Sequence, residues 1–301
     1  MMPLIKQYSI NDTPWNRFRT VLLLRLSKSR IARLWNAGYC DGVYIVSSKL
    51  CVKSSPVSFA SLSEAVTMRY VASHTSIPVP HVYASFVRND TFYILMERVA
   101  GERLAEGWAA RSDESRAIII SQLRSMVQEL RSLRPPTGIG IADVVGGPAF
   151  DSREAKDRWG PYSTIADFHL ALRHGKTLEQ LDAEKQYVAP RYYSLYEEKR
   201  QVIEWHSNTS PVPVFTHGDL TAFNIMAQGD TVTAIVDWAT AGWWPFYWEY
   251  CTAQLSSLNP LWSDAVDGFI EPCPQDYCMD MLRRRFWGQF TGRTTPRDSI
   301  H

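Results

Sequence analysis

The chain is predicted to be an α+β protein, with a small β-rich N-terminal part and a larger, mainly helical C-terminal part. Short runs rich in Val, Ile and Tyr crowd the first hundred residues, whereas apolar residues at helical spacing dominate the rest of the chain. A length of 301 residues with 45% hydrophobic and 21% charged side chains is enough to bury a core, which excludes disorder and fibrous repeats.

Thr13-Pro14 supplies an N-cap and a proline suited to a first helical position, and Trp15, Phe18, Leu22 and Leu26 then recur at helical spacing. An amphipathic helix therefore opens the chain. From Arg17 to Arg33 it carries six basic residues and no acid. That run is compatible with an anionic surface, but the plainer reading is the solvated basic face of a packed helix. Val43–Val46 and Leu50–Lys53 flank Ser47-Ser48 and read as a hairpin. Leu62, Ala65, Val66, Arg69 and Tyr70 give a helix of about three turns, ended by the prolines of Ile77-Pro78-Val79-Pro80. His81–Phe86 and Thr91–Met96 are strand-like around the turn Arg88-Asn89-Asp90.

Beyond Glu97, Ser112-Asp113-Glu114 starts a helix with Ile119, Leu123, Met126, Val127, Leu130 and Leu133 on one face, stopped by Pro135-Pro136. A glycine-rich loop, Gly138 to Gly147, leads to a helical region expected over roughly 151–206. Two β-like pieces come next, Val212–Thr216 and Val232–Val236, with the polar segment Gly218–Asn224 between them. No internal repeat is visible.

That polar segment carries the chemistry. His217-Gly218-Asp219-Leu220-Thr221-Ala222-Phe223-Asn224 is followed by Asp237 at the end of Ile235-Val236. Phosphoryl transfer needs a carboxylate to take the proton of the attacking hydroxyl, and oxygen ligands that hold Mg²⁺ against nucleotide phosphates. Asp219 suits the base, and Asn224 and Asp237 suit the metal. An isolated aspartate is usually a surface turn. Two aspartates set at the ends of apolar pieces, where an unpaired carboxylate is costly, favour function instead.

With these residues in hand, the chain resembles the aminoglycoside phosphotransferase family of small-molecule kinases, and most of all its fungal members. The resemblance rests on HGDLTAFN at 217–224, IVDW at 235–238, AGWWPFYWEY at 241–250, LCVK at 50–53, SEA at 63–65, TSIPVP at 75–80 and YILMERVAGERL at 93–104. It implies a two-lobed protein-kinase-like fold, with residues 1–97 as a nucleotide-binding lobe and 98–301 as a helical lobe holding the catalytic loop and acceptor site. It further implies ATP and Mg²⁺ as cofactors and a small-molecule hydroxyl as acceptor. Lys53, at the end of the third strand, would contact the nucleotide phosphates and pair with Glu64 on the next helix, while Met96-Glu97-Arg98 would link the lobes and meet the adenine edge. The residues agree, since a lysine closing the apolar run Leu50-Cys51-Val52 points a cation between the lobes.

The phosphate-covering stretch Asn36–Gly42 departs from GxGxxG, having two glycines around Tyr39 and Cys40. A catalytically weak or silent nucleotide-binding protein of this fold is therefore one alternative. A protein kinase is a remoter one, because His-Gly-Asp replaces His-Arg-Asp and no Asp-Phe-Gly comes after it.

Seven aromatics between Trp238 and Tyr250 are read as packing beneath the metal loop rather than stacking on substrate. Five acids between Trp262 and Met281, with no Lys or Arg among them, suit a cationic acceptor but read first as a solvated helix face. A net charge of +1 argues against nucleic acid as partner. No run nears the roughly 18 apolar residues of a membrane span, no secretory signal is evident, and the five scattered cysteines suit reduced thiols, so a cytoplasmic location is expected.

Overall fold

The computed structural model describes residues 6–28, 42–57, 59–154, 158–256 and 260–288. Helix α1 (Pro14–Ser27) starts where the sequence signals it, with Thr13 Oγ1 accepting from the Asn16 backbone N–H. Strand β1 (Val43–Ile45) pairs antiparallel with β2 (Leu50–Pro56), Tyr44 opposite Val52. After α2 (Phe59–His74), β3 (Val82–Arg88) and β4 (Thr91–Glu97) form a second hairpin whose turn residues Asn89 and Asp90 both take positive φ, as two-residue hairpin loops require. The four strands make one sheet in the order β1-β2-β4-β3.

Alternation along these strands decides what each face carries. Val52, Ala84 and Leu95 point outward and are covered by Leu24 of α1. Cys51, Ile94 and Met96 point inward and pack with Leu62, Ala65 and Val66 of α2. Lys53 lies two residues beyond Cys51 and so shares the inner face. It does not end its strand, as the apolar run suggests, because β2 continues through Ser54, Ser55 and Pro56. The phosphate-covering stretch lies outside the described residues except for Gly42.

The remainder is mainly helical. The short strand β5 (Glu102–Arg103) leads to α3 (Leu104–Gly107), and α4 (Asp113–Ser132) buries Ile119, Leu123, Val127 and Leu130 behind the N-cap Ser112. The region expected to be helical from residue 151 departs from that expectation. It begins as a hairpin of β6 (Ala149–Phe150) and β7 (Arg158–Trp159), and helices resume only at α5 (Ile165–Leu172), α6 (Leu178–Lys185) and α7 (Tyr193–Asn208). Residues 151–159 offer only Ala155 and Trp159 as apolar side chains, too few for a helix face. Asp151, Arg153 and Glu154 are fixed by tertiary contacts instead.

Strand β8 (Val214–Thr216) precedes the polar loop, and β9 (Ile225–Gln228), absent from the sequence-based reading, pairs with β10 (Thr231–Ile235). β5 joins the free edge of β9, and β11 (Gly242–Trp244) pairs with β8. Helices α8 (Trp248–Leu255), α9 (Pro260–Phe269) and α10 (Pro274–Trp287) complete the order. Of the seven aromatics at 238–250, six are buried and Phe246 is partly so, so the packing reading holds. Among the described residues no helix is long and apolar enough to cross a membrane.

Candidate active site

Lys53, Glu64 and Asp237 converge from β2, α2 and the end of the β10 segment. The Lys53 ammonium lies 2.8 Å from both Glu64 carboxylate oxygens and 2.9 Å from Asp237 Oδ1. Side-chain exposure rises along this row, from 3% at Glu64 through 17% at Lys53 to 46% at Asp237, so the row runs from the interior to the surface. Burial opposes the charge on Lys53, but the two carboxylates outweigh it and raise its pKa. Burial likewise dominates at Glu64, pushing its carboxyl up to about 7 despite Lys53. At Asp237 burial is overcome by Lys53, and its pKa is lowered.

Asp237 adopts φ 63° and ψ 61°, a left-handed conformation that costs a non-glycine residue about 1–3 kcal/mol. It holds because both neighbours are fixed. Val236 N–H donates to the Asn224 carbonyl at 2.9 Å, and Trp238 is fully buried with its indole donating to the Ile235 carbonyl.

The loop 217–224 is held just as closely. Glu249, a buried carboxylate on α8, accepts from the backbone N–H groups of His217 at 2.6 Å and Gly218 at 3.0 Å. His217 Nδ1 accepts from the Asp219 N–H at 3.2 Å, so Nε2 carries the proton that it donates to the Val236 carbonyl at 3.1 Å. His217 thus couples this loop to the segment bearing Asp237. Gly218 has φ +80°, and a Cβ there would meet the Thr240 carbonyl oxygen at 2.8 Å, so neither backbone nor space admits a side chain.

The Asp219 carboxylate, 36% exposed, is gripped at both oxygens: Oδ2 accepts from Asn224 Nδ2 at 2.8 Å and Oδ1 from Arg153 at 3.4 Å. Arg153 comes from the β6–β7 connection. Its remaining donors go to the two Asp151 oxygens, each at 2.8 Å, to Ser256 Oγ at 3.1 Å, and to the Gly218 carbonyl. All five N–H groups of the guanidinium are thereby used. Asn224 Nδ2 also donates to the Asp219 carbonyl at 2.8 Å. With the nitrogen turned inward, the amide oxygen is left on the opposite side. That oxygen and the Asp237 carboxylate are hard donors that fit Mg²⁺, which is usually held by one or two carboxylates together with substrate phosphates.

At the strand end, Met96 is buried on the inner face and Glu97 Oε2 accepts from the His81 N–H at 3.2 Å. The Glu97 carbonyl faces the Cys51 thiol at 3.4 Å, and the Arg98 N–H is already taken by the Lys49 carbonyl at 3.0 Å.

The acids of 262–281 divide: Asp264, Asp267 and Glu271 are exposed, Asp267 also accepting from the Tyr250 hydroxyl, whereas Asp276 accepts from the Trp205 indole and Asp280 is buried against Arg283 and Arg284. Two residues that hold the loop, Arg153 and Glu249, draw no assignment from the sequence. A signal exists for Glu249, a lone carboxylate within an aromatic tract that must find donors once buried. None exists for Arg153, whose contacts with Asp219 and Ser256 span 66 and 103 positions.

Solved structures of similar shape include aminoglycoside phosphotransferase APH(4)-Ia in a ternary complex with ADP and hygromycin B. That match has a TM-score of 0.55 and 15% identity, covering 85% of this chain and 88% of that one. A streptomycin–ATP–APH(2″)-IIa ternary complex matches with a TM-score of 0.53 at 14% identity, over 83% and 79% of the two chains. At such identities the likeness shows the two-lobed fold. A curated relative, a subtelomeric hrmA-associated cluster protein of Aspergillus fumigatus, is 30% identical over 87 residues, which span 28% of this chain and 17% of that protein. The model of the phosphotransferase enzyme family matches residues 36–287, a range holding Lys53, Glu64, Asp219, Asn224 and Asp237, and the chain belongs to that family.

Proposed function

We propose that this protein transfers the γ-phosphoryl group of ATP to a hydroxyl of a small molecule. The observation that carries the proposal is the meeting of two sets in one region: a cation held between carboxylates (Lys53, Glu64, Asp237), and a carboxylate gripped at both oxygens beside an amide (Asp219, Asn224). In this reading residues 1–97 bind nucleotide and 98–301 supply the catalytic loop and acceptor site, with Met96–Arg98 between them. The Lys53 ammonium neutralises phosphate oxygens, and Glu64 keeps it aimed. At the lobe junction, the Glu97 carbonyl, which also accepts from the Cys51 thiol, offers its second lone pair to the adenine edge. Asp219 takes the proton of the acceptor hydroxyl as its oxygen attacks the phosphorus, and the bond to the ADP oxygen breaks. Asn224 and Asp237 would hold Mg²⁺, which neutralises charge on the transferring group. The complexes with aminoglycosides and nucleotides among proteins of this fold support a small-molecule acceptor.

The test is ADP formation from ATP as Mg²⁺ is titrated, in the parent and in Asp237→Asn. Metal-dependent turnover in the parent and a rightward-shifted metal curve in the variant are expected. Superimposable curves would remove Asp237 from the metal site, and a parent without metal-dependent turnover would favour the silent alternative.

Glu64 gives a pH dependence. Below about pH 7 its carboxyl keeps a proton in the folded protein, and Lys53 loses part of its counter-charge. The value of kcat/KM for ATP is therefore expected to fall below about pH 7, and Glu64→Gln should flatten that limb while lowering the plateau. Stability runs the other way. A carboxyl raised from 4.5 to about 7 contributes stability that is full below the lower value and is lost as pH rises through the upper one. An acid limb retained in Glu64→Gln would exclude Glu64 as its source.

A further inference from the structure

Helix α1 packs in the opposite sense to its pattern. Thr20 and Leu24 are its buried residues, and Leu24 sits on the outer face of the four-stranded sheet against Val52, Ala84 and Leu95. The apolar series that defines the helix in the sequence is instead in solvent: Trp15 is 67% exposed, Phe18 57%, Leu22 41% and Leu26 58%. At about 100° per residue these four fall within an arc of roughly 80°, centred opposite Thr20 and Leu24. By the same wheel Arg19 and Arg25 border the arc on its two sides. Arg17 belongs to the packed side, paired with Asp12 at 2.5 Å and lying over the Phe86 ring. From Thr13 through Cys40 the chain has no acidic residue and six basic ones.

We propose that this face of α1 docks on an anionic phospholipid surface, with the helix lying in the interface plane. The stripe provides what such a surface accepts: an exposed Trp and Phe at one end, two leucines along the same line, and arginines at its edges to meet lipid phosphates and carboxylates. Charge complementarity selects this occupant. A second copy packed symmetrically on the same face would bring Arg19 and Arg25 against their own equivalents, a like-charge contact that opposes association. Four side chains on one helix also fall well short of the roughly 20–30 residues per side in a stable protein interface. The proposal goes beyond phosphoryl transfer, and α1 contributes none of the residues assigned to it, so either can fail alone.

Flotation of the full chain with vesicles tests it. The protein should float with phosphatidylcholine vesicles containing phosphatidylserine and not with phosphatidylcholine alone, and added salt should release it. Trp15→Ser with Leu22→Ser should abolish flotation. Arg19→Gln with Arg25→Gln should weaken partitioning roughly 30-fold, from about fivefold per lost charge near an anionic surface. Because these side chains are on the outward face, both variants should keep the parent's melting temperature and ADP formation. Failure of the parent to float on the anionic vesicles overturns the proposal, as does equal flotation of the Trp15/Leu22 variant. A dimer in light scattering that this variant dissolves, without vesicle binding, would give the face to a second copy. Binding of polyglutamate without vesicle binding would give it to an acidic protein; either result overturns the proposal.

Discussion

Asp219→Ala is expected to lower ATP-dependent phosphoryl transfer by about 10²–10⁴-fold, the usual scale for removing a positioned general base. Nucleotide affinity should stay close to that of the parent, because Lys53, Glu64 and Asp237 remain in place. The fold should persist as well. Arg153 keeps Asp151, Ser256 and the Gly218 carbonyl as partners after losing the longest of its contacts, the 3.4 Å one. Asp219→Asn separates shape from chemistry. An amide of the same size can keep an oxygen towards Asn224 but cannot take a proton at neutral pH, so its loss should match that of alanine. Initial rates of ADP formation at saturating Mg²⁺ and ATP, beside calorimetric binding of the nucleotide, check both variants. Full activity in Asp219→Asn would remove the base from this position.

Much of the site is legible in the sequence because its members sit at the boundaries of local elements. Period-two alternation from Cys51 puts Lys53 on the inner sheet face, and helical spacing brings Glu64 opposite it. His217–Asn224 and Asp237 are marked by polar residues abutting short apolar strands. The residues that hold those side chains still are less visible, since their partners are distant in sequence. Asp151, Arg153 and Glu154 read as an ordinary charged helical stretch, yet they lie in the β6–β7 connection, from which Arg153 reaches the loop 217–224. Periodicity also misleads at α1 in an instructive way. It identifies the helix correctly, but an apolar stripe alone does not say whether it meets the core or something outside. The outer sheet face is met by Leu24, with Leu23 partly buried beside it, so the stripe is left over.

Arg283→Met is expected to destabilise the fold by about 3–5 kcal/mol, the cost of leaving buried carboxylates without their partner. Arg283 is fully buried on α10, bonded to both Glu154 oxygens at 2.9 and 2.8 Å and to Asp280 Oδ1 at 2.7 Å. Arg284 completes the cluster, reaching Glu154 at 2.6 Å, Asp280 at 2.8 Å and the Arg153 carbonyl at 3.2 Å. Without Arg283, two carboxylates share one partly buried guanidinium in a dry environment. For a domain whose whole stability is about 5–15 kcal/mol, that loss should be obvious in a denaturant titration. Lys176→Met supplies the contrast, since among the described residues its ammonium pairs only with Glu184, which is 46% exposed, and surface pairs of this kind contribute little. The pH dependence carries the same sign. Burial would raise the Asp280 carboxyl, but Arg283 and Arg284 outweigh it and hold it below the ordinary carboxylate range. Its contribution is therefore present above the ordinary carboxylate pKa and lost as pH falls through the lowered one, so the destabilisation by Arg283→Met should be largest near neutral pH and shrink as pH falls through that range. Glu154 adjoins Arg153, so the cluster also fixes the β6–β7 connection that grips Asp219. At denaturant-free neutral pH, the variant's remaining folded fraction should turn over more slowly than its population alone accounts for. A variant as stable as Lys176→Met would show that α10 is not wired into the fold through this cluster.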